Sequence, residues 1–530
     1  MFKKITTTIA ASIVAMTMWA GGGDDLDSVI VTIDQVGAQA MPDSIMPVGD
    51  APFAVKPFRR PVVKGRSVTM TSRQVSDNGL ITPAINDTIA KLSAEGGGTV
   101  ILPAGLWHSG RINLCSNIVL RIDSGATLEF SADISAYQPA VFTRHEGVEV
   151  MSAGAFLYAD SAVNIVVTGK GTISGPPMDA PMRSLPNGNS VVEKDIDPNM
   201  PVCDRICDGL EGRTFYRPKS FAPINCANVL VEGVTFERSV LWNVNPIYCD
   251  NVIIRGITVN STDVPSGDGI DISSCSNVLI EFCTLNCGDD CFTLKAGRCE
   301  DGIRVGKPTE NVVIRNCLAK DGHGGVTCGS ETAGVIRNVL IERCVFDGTR
   351  AGLRFKTRRN RGGGVNGIYC NDLRFIDIGE AFTFDLLGSP QYMGVLARRD
   401  TILPITPLTP DIYGIHVSRF IVENAERMAS VSGIPETPCR DIVIENGTVN
   451  TGVLFKRMRD LGSMTFRSMT INATDNNVTL DNVRSLLFDD VDFNMPDNQI
   501  NLNIEGTAPS NLLIKTGEST RRLSQGANNL

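Results

Sequence analysis

The most regular feature of the sequence is a short alternation of apolar and polar residues that restarts many times. An Asn-Val step opens it at Asn228, Asn251, Asn277, Asn311 and Asn338, at spacings of 23, 26, 34 and 27 residues. Weaker copies begin at Asn117-Ile118, Asn164-Ile165, Asp441-Ile442 and Asn482-Val483. Each opens a strand-like run such as Val-Leu-Val-Glu-Gly or Val-Ile-Ile-Arg-Gly, followed by further short runs between Gly, Asn, Asp and Ser. The period is too short for a strand–helix–strand unit and holds no helical segment. It predicts an all-β chain folded as a right-handed parallel β-helix, a solenoid whose coils bury their inner residues on one another. Repeated inward Asn side chains would hydrogen-bond along the stack at the turns.

One helix interrupts this pattern. Thr82-Pro83 opens it, Ile85, Ile89 and Leu92 share one face, and Gly96-Gly97-Gly98 stops it. A solenoid needs its first coil covered, and this amphipathic helix suits that role. The chain then divides into a signal peptide at 1–20, a polar, Pro-rich linker or loosely attached arm at 21–60, and a cap with the helix at 61–95. The β-helix catalytic domain follows at 96–515, and a polar, frayed tail at 516–530. Two long insertions fall inside the β-helix, at 176–220 and at 386–411, the second marked by Pro390, Pro404, Pro407 and Pro410. The signal reading rests on the basic start Lys3-Lys4 and the apolar run from Ile9 to Ala15, which is too short to span a bilayer. No other stretch reaches about twenty apolar residues, so the expectation is an exported, periplasmic or extracellular protein with no membrane span.

Composition narrows the function. Over 530 residues, 42% hydrophobic and 20% charged, the chain can build a packed core, which excludes global disorder. A net charge of −9 argues against a nucleic-acid binder and requires any polyanionic partner to meet a local basic patch. Fifteen cysteines cannot all pair. Cys115, Cys226, Cys249 and Cys275 repeat one pattern and Cys283, Cys317 and Cys344 another, as small buried residues stacked in a repeated core would. Cys203/Cys207 and Cys283/Cys287/Cys291 come nearest to metal-ligand spacing.

The candidate chemistry sits in one phase of the repeat. Counted from the Asn of its coil, Asp268 lies 17 residues on, Asp289 12, His323 12 and Arg354 16. Strands about 4.8 Å apart make this a stripe roughly 15 Å long, carrying three carboxylates, an imidazole and two cations. Each motif has a plainer reading. Asp289-Asp290 alone is a solvated turn, and His323 alone is more often structural. The run Arg354, Lys356, Arg358, Arg359 and Arg361 is usually a solvated face. Asp271 reads as a turn residue and is left outside the set. Gly288 would supply a bend that lets both Asp289 and Asp290 reach one cleft. Paired carboxylates beside cations point to hydrolysis of an acidic glycoside: one carboxylic acid protonates the leaving oxygen and another carboxylate activates water. The cations would bind the carboxylate of the sugar.

With Gly267-Asp268-Gly269-Ile270-Asp271, Gly288-Asp289-Asp290-Cys291, Gly322-His323-Gly324 and Arg354-x-Lys356 in this order, the sequence resembles the polygalacturonases of glycoside hydrolase family 28. Gly96 to Val100, Pro103-Ala104-Gly105 and Val141 to Arg144 extend the resemblance from about Gly96 to about Asn450. It implies an inverting pectin hydrolase with Asp289 as general acid, Asp268 and Asp290 holding the attacking water, and His323, Arg354 and Lys356 binding substrate. The implied partner is an acidic plant polysaccharide or oligogalacturonide, met by a monomer without metal or other cofactor. Ser266-Gly267 stands where that family usually has Asn-Thr, which leaves a rhamnogalacturonan hydrolase as the neighbouring reading. An alignment with Asp263 in place of Asp268 loses the Gly-Ile-Asp that follows. An inverting site predicts acid and base carboxylates about 6.5–9.5 Å apart. Two other classes remain, a Ca²⁺-dependent pectate lyase and a non-catalytic glycan-binding β-helix. The insertion at 176–220 favours exo action by closing one end of the cleft.

Overall fold

The computed structural model describes residues 26–185, 192–508 and 510–530. The segment at 1–20, read as a signal peptide, lies outside the described residues.

The chain winds as a right-handed parallel β-helix with three strands in a typical coil. Each strand pairs in parallel with its equivalents one coil before and one coil after, and inner side chains stack in columns. Ile118, Ile165, Val229, Val252, Val278, Val312, Val339 and Ile368 form one column along the first sheet. Leu285, Ala319, Phe346 and Phe375 belong to a second. The third sheet stacks Ile270, Phe292, Val326, Leu353 and Phe382. All are essentially free of solvent, so β-branched and aromatic residues fill a continuous core.

The Asn residues of the repeat mark where each coil turns into its first strand. Asn117, Asn164, Asn228, Asn251, Asn277, Asn311 and Asn338 all have φ of +54° to +59°. Asn tolerates this left-handed region better than other residues with a Cβ, which explains its recurrence. Four links of the expected ladder form: Asn164 donates to Asn117 at 2.8 Å, Asn228 to Asn164 at 3.0 Å, Asn251 to Asn228 at 2.7 Å and Asn338 to Asn311 at 3.1 Å. Asn277 bonds Asp250 instead.

The helix spans Thr82–Ala94 and buries Ile85, Ile89 and Leu92 against the first coil. All fifteen cysteines are unpaired thiols, thirteen of them buried. Cys283, Cys317 and Cys344 stack in register, and the Cys249 backbone donates to the Cys275 sulfur at 3.2 Å.

Two parts of the chain depart from expectation. The arm is not loose over its described part. Ile45, Val48, Ala51, Phe53, Val55, Phe58 and Val63 pack across the outward residues Val119, Val166, Leu230, Ile253, Leu279, Val313, Leu340 and Tyr369 of the first sheet. Further back, Val31 and Val36 cover Leu318 and Val345. Arg255 and Arg315, ion-paired to Glu281, donate to the carbonyls of Pro42 and Met46. The tail is also ordered: Ser519–Arg522 and Gly526–Asn529 pair antiparallel with the last two coils, so the open edge of the solenoid is partly covered.

Candidate active site

The third sheet carries the candidate chemistry at the mouth of four successive strands, Ile270–Ser273, Phe292–Lys295, Val326–Cys328 and Ala351–Lys356. Ile270 faces Phe292, Phe292 faces Val326, and Val326 faces Leu353. Counting back places Asp268 beside Asp290, and Asp289 beside His323. Arg354 does not share that line. The residue next to His323 is Arg350, whose amide bonds the Gly322 carbonyl at 2.9 Å. Arg354 and Lys356 stand four and six residues further along the strand and reach the site by side-chain length.

Glycines make the convergence possible. A Cβ on Gly288 would collide with the carbonyls of Val264 and Ser261. One on Gly324 would intrude on Thr327 and Asp290. Asn243 fixes the Asp268 loop by donating to the Asp268 carbonyl at 2.9 Å and to Ser261 Oγ at 3.1 Å. Asp263, by contrast, is exposed at the surface and takes no part in the cluster.

Asp268, Asp289 and Asp290 present carboxylate oxygens all within 4.8 Å of one another. The wide acid–base spacing expected from the sequence is therefore not found. The reason is topological: two of the carboxylates are sequence neighbours and the third lies one strand spacing away. Two hydrogen bonds of about 2.8 Å at a tetrahedral angle span about 4.5 Å, so Asp268 and Asp290 are spaced to hold one water between them.

Each carboxyl has a different partner. Asp290 is buried and ion-paired to Lys356 at 2.6 Å and Arg354 at 3.1 Å. Burial alone would raise its pKa, but Lys356 and Arg354 outweigh this and hold it well below the usual carboxylate range. Burial lowers the Lys356 ammonium while Asp290 supports it; with the 2.6 Å contact and Arg354 alongside, the pair stands as carboxylate and ammonium. Asp268 is pushed well up, first by burial and then by Asp271 and Asp289. Asp289 accepts from His323 Nδ1 at 3.0 Å, and this bond overcomes burial and lowers the Asp289 carboxyl. The same bond raises His323. These surroundings favour a proton on Asp268 over one on Asp289, the residue in which the family resemblance places it.

Sequence reasoning missed two members. Lys295 is buried, 3.4 Å from Asp271, 3.8 Å from Asp268 and 4.4 Å above the Trp242 ring. Asp271, set aside as a turn residue, lies inside its strand, is fully buried, and is raised to about 7 chiefly by burial. The alternation Phe292-Thr293-Leu294-Lys295, with Phe292 and Leu294 in the core, was the available signal for Lys295. The basic run is not a solvated face either. Arg358 pairs with Asp385 at 3.2 Å, Arg359 is forked onto Glu436 at 2.6 and 2.8 Å, and Arg361 is buried.

Among the described residues, the three aspartates are the group whose geometry could hold a metal ion. Their charge is already answered, however. Lys356 and Arg354 contact Asp290, His323 contacts Asp289, and Lys295 lies 3.8 Å from Asp268. A divalent cation would have to displace these ammonium and guanidinium groups.

From His323, Arg350 and Arg354 a groove of about 610 Å³ runs toward the C-terminal coils, past Glu380 and Ser430 to Arg457 and Arg459. A second groove of about 1010 Å³, lined largely by Asn, Thr and Gly, lies on the flank; Arg350 borders both grooves, and none of the three aspartates lines either one. On the side of Lys295, described residues of the 176–220 insertion pack close by, with Glu193 2.7 Å from Arg298. The insertion's strand Ile206–Cys207 extends the hairpin Val141–Ser152, and Arg205 makes a buried ion pair with Asp301 at 2.8 Å. His145 stacks on Tyr216 with ring centroids 3.9 Å apart.

Comparison with known proteins agrees with this geometry. Residues 206–385 match the glycosyl hydrolases of family 28. The chain is similar to a probable polygalacturonase of Vitis vinifera, 28% identical over 72% of this chain and 73% of that one. It is also similar to an exo-poly-alpha-D-galacturonosidase of Dickeya chrysanthemi, 27% identical over 50% of this chain and 48% of that one. Among solved structures, a hyperthermoactive exopolygalacturonase from Thermotoga maritima superposes with a TM-score of 0.68 at 27% identity, covering 82% of this chain and 94% of that one.

Proposed function

We propose that this chain, a family 28 glycosyl hydrolase of the polygalacturonase type, cleaves α-1,4-galacturonosyl linkages in pectin or polygalacturonate, with release from a chain end. The observation that carries the reading is the convergence of Asp268, Asp289 and Asp290 beside His323, Arg354 and Lys356 at the head of a groove. Asp289 donates the proton to the leaving oxygen, and Asp268 and Asp290 orient the attacking water. A galacturonate in the groove brings its own carboxylate to His323, Arg354 and Lys356 and drives out water. Both changes weaken the cationic hold on Asp289 and raise its pKa toward that of a working acid.

Charge supports hydrolysis over Ca²⁺-dependent elimination, because cations of the chain itself already neutralise the aspartates. Exo action is supported by the insertion that packs on the Lys295 side of the site and by the exo-acting relatives. An exported enzyme, periplasmic or extracellular, fits the Lys3-Lys4 start and its apolar run. No helix among the described residues is long and apolar enough to cross a membrane. The deciding experiment incubates the purified protein with polygalacturonate in the presence of a chelator and follows reducing ends, product size and ultraviolet absorbance. Mono- or digalacturonate from the first time points, without unsaturated product, is the expected result. Unsaturated product lost on chelation would make the chain a lyase, and no release at all would leave a glycan-binding β-helix.

A further inference from the structure

Beyond Lys295, where the insertion packs close by, lies a second charged cluster that the proposed chemistry does not use. Arg144, Arg298, Arg361 and Lys219 are each at least nine-tenths buried, and Arg217 is half-buried beside them. Facing them are three carboxylates, Glu146, Glu193 and Glu331. Arg298 takes Glu193 at 2.7 Å and Glu146 at 3.5 Å, while Glu331 lies 3.8 Å from Lys295. Among the described residues, Arg144, Arg217, Lys219 and Arg361 have no ion-pair partner within 4.0 Å. Five basic groups therefore stand against three carboxyls in a buried place.

Their donors are unsatisfied as well. Arg144 Nη2, Arg217 Nε, Arg298 Nε and Nη2, and Arg361 Nε and Nη1 are all buried without a hydrogen-bond acceptor. The Arg298–Glu193 contact is close but not aligned, since Glu193 Oε2 is also without a donor. Buried guanidinium groups left in this condition are costly, and an anion with several oxygens is what the arrangement lacks. Burial and the neighbouring cations also act on the cluster: burial lowers Lys219 to about 7, and burial together with Arg298 lowers Arg361 to about 10.

Position identifies the anion. Lys295 Nζ reaches Asp268 and Glu331 at 3.8 Å each, so a single side chain separates the cluster from the water-holding carboxylates. A sugar seated at the cut would extend its carboxylate here. Resting on the galacturonate reading above, we infer that Arg144, Arg298 and Arg361 form the blind-end subsite, which binds the carboxylate of the terminal galacturonate, and that Glu193 of the insertion is its internal competitor.

The test uses Asp289→Asn protein, which binds without turnover, and calorimetric titration with galacturonate, galactose and inorganic phosphate. Galacturonate should bind at least about tenfold tighter than galactose. Adding Arg361→Gln should remove that preference and leave galactose unchanged. Because a buried substitution can impair folding, Glu193→Gln serves as the second variant. It should tighten galacturonate by several-fold, a sign that a merely structural ion pair does not give. Galacturonate binding unchanged in both variants, while the wild type cleaves polygalacturonate, would overturn the subsite and leave the function standing. Phosphate bound through Arg361 with galacturonate ignored would overturn it too, as an adventitious anion site. A wild type inactive on polygalacturonate would defeat the functional reading itself.

Discussion

His323 Nδ1 lies 3.0 Å from Asp289 Oδ1, and the two residues sit side by side on neighbouring coils. Through their contact a half-exposed imidazole touches the residue assigned the acid role. It ties the substrate-binding stripe to the proton that the reaction needs.

Titration of this pair has a definite sign. His323 is raised above its unfolded value of about 6.5, so its contribution to stability is fully present below that pH and is lost as pH rises through the folded value. Asp289 is lowered, so its contribution is present above about pH 3.9 and is lost as pH falls through the folded value. The pair is therefore fully formed between about pH 4 and 6.5. With only four histidines in the chain, the His323 imidazole can be followed by NMR. In Asp289→Asn its pKa should drop back toward about 6.5, and an unmoved value would mean that the contact does not form in solution.

Asp289→Asn should lower kcat on polygalacturonate by about 10²- to 10⁴-fold with the fold intact, at the cost only of the exposed His323 contact. An aryl galacturonide whose leaving group needs no proton separates acid from base. Its hydrolysis should survive Asp289→Asn and fail in Asp268→Asn. The reverse pattern would move the acid role to Asp268, whose carboxyl burial pushes up.

Product stereochemistry should be inverted. Carboxylates this close are, in the general two-carboxylate scheme, the spacing of retaining enzymes. Inversion is expected here because Asp268 and Asp290 are spaced for a shared water and Asp290 is locked by Lys356 and Arg354. Proton NMR of the first anomer released decides it, and a retained anomer would make one of these aspartates the nucleophile.

Lys356→Met should destabilise the fold by up to about 3 kcal/mol, because it strands a buried carboxylate with Arg354 alone. Asp290→Asn in the same chain should recover part of that loss in denaturant titrations. Activity of Lys356→Met should fall on both pectins, and further on de-esterified pectin, whose carboxylate Lys356 helps to bind. Arg350, exposed in the groove beside His323, is a further cation expected to discriminate, and one that does not touch Asp290: Arg350→Ala should raise KM on de-esterified substrate several-fold and leave kcat and esterified pectin nearly unchanged.

The sequence carried the solenoid because its signals are local. Asn at each left-handed turn and apolar alternation in each strand repeat whatever lies elsewhere. Asp268, Asp289, Asp290 and His323 were legible because they precede strands in a common register. Arg354 was misplaced in phase, since counting from Asn338 ignores the length of the intervening turns. Alternation sets Lys295 and Asp271 on the face of the third sheet away from the core, but does not say that they are buried there. The packed arm had a signal that went unused. Runs such as Val252-Ile253-Ile254 and Val278-Leu279-Ile280 are apolar on both faces, and a strand of that kind must be covered twice.

That covering changes how the molecule comes apart. In a stack where each coil touches only its neighbours, opening can begin at any weak interface and stay local. Residues 45–63 touch outward positions from Val119 to Tyr369, so they bridge coils that are not neighbours in the stack. Peeling one coil in that span requires lifting a segment that also grips the others. The arm thus converts a row of nearest-neighbour interfaces into one cooperative block, with the candidate active site, from Asp268 to Lys356, inside it.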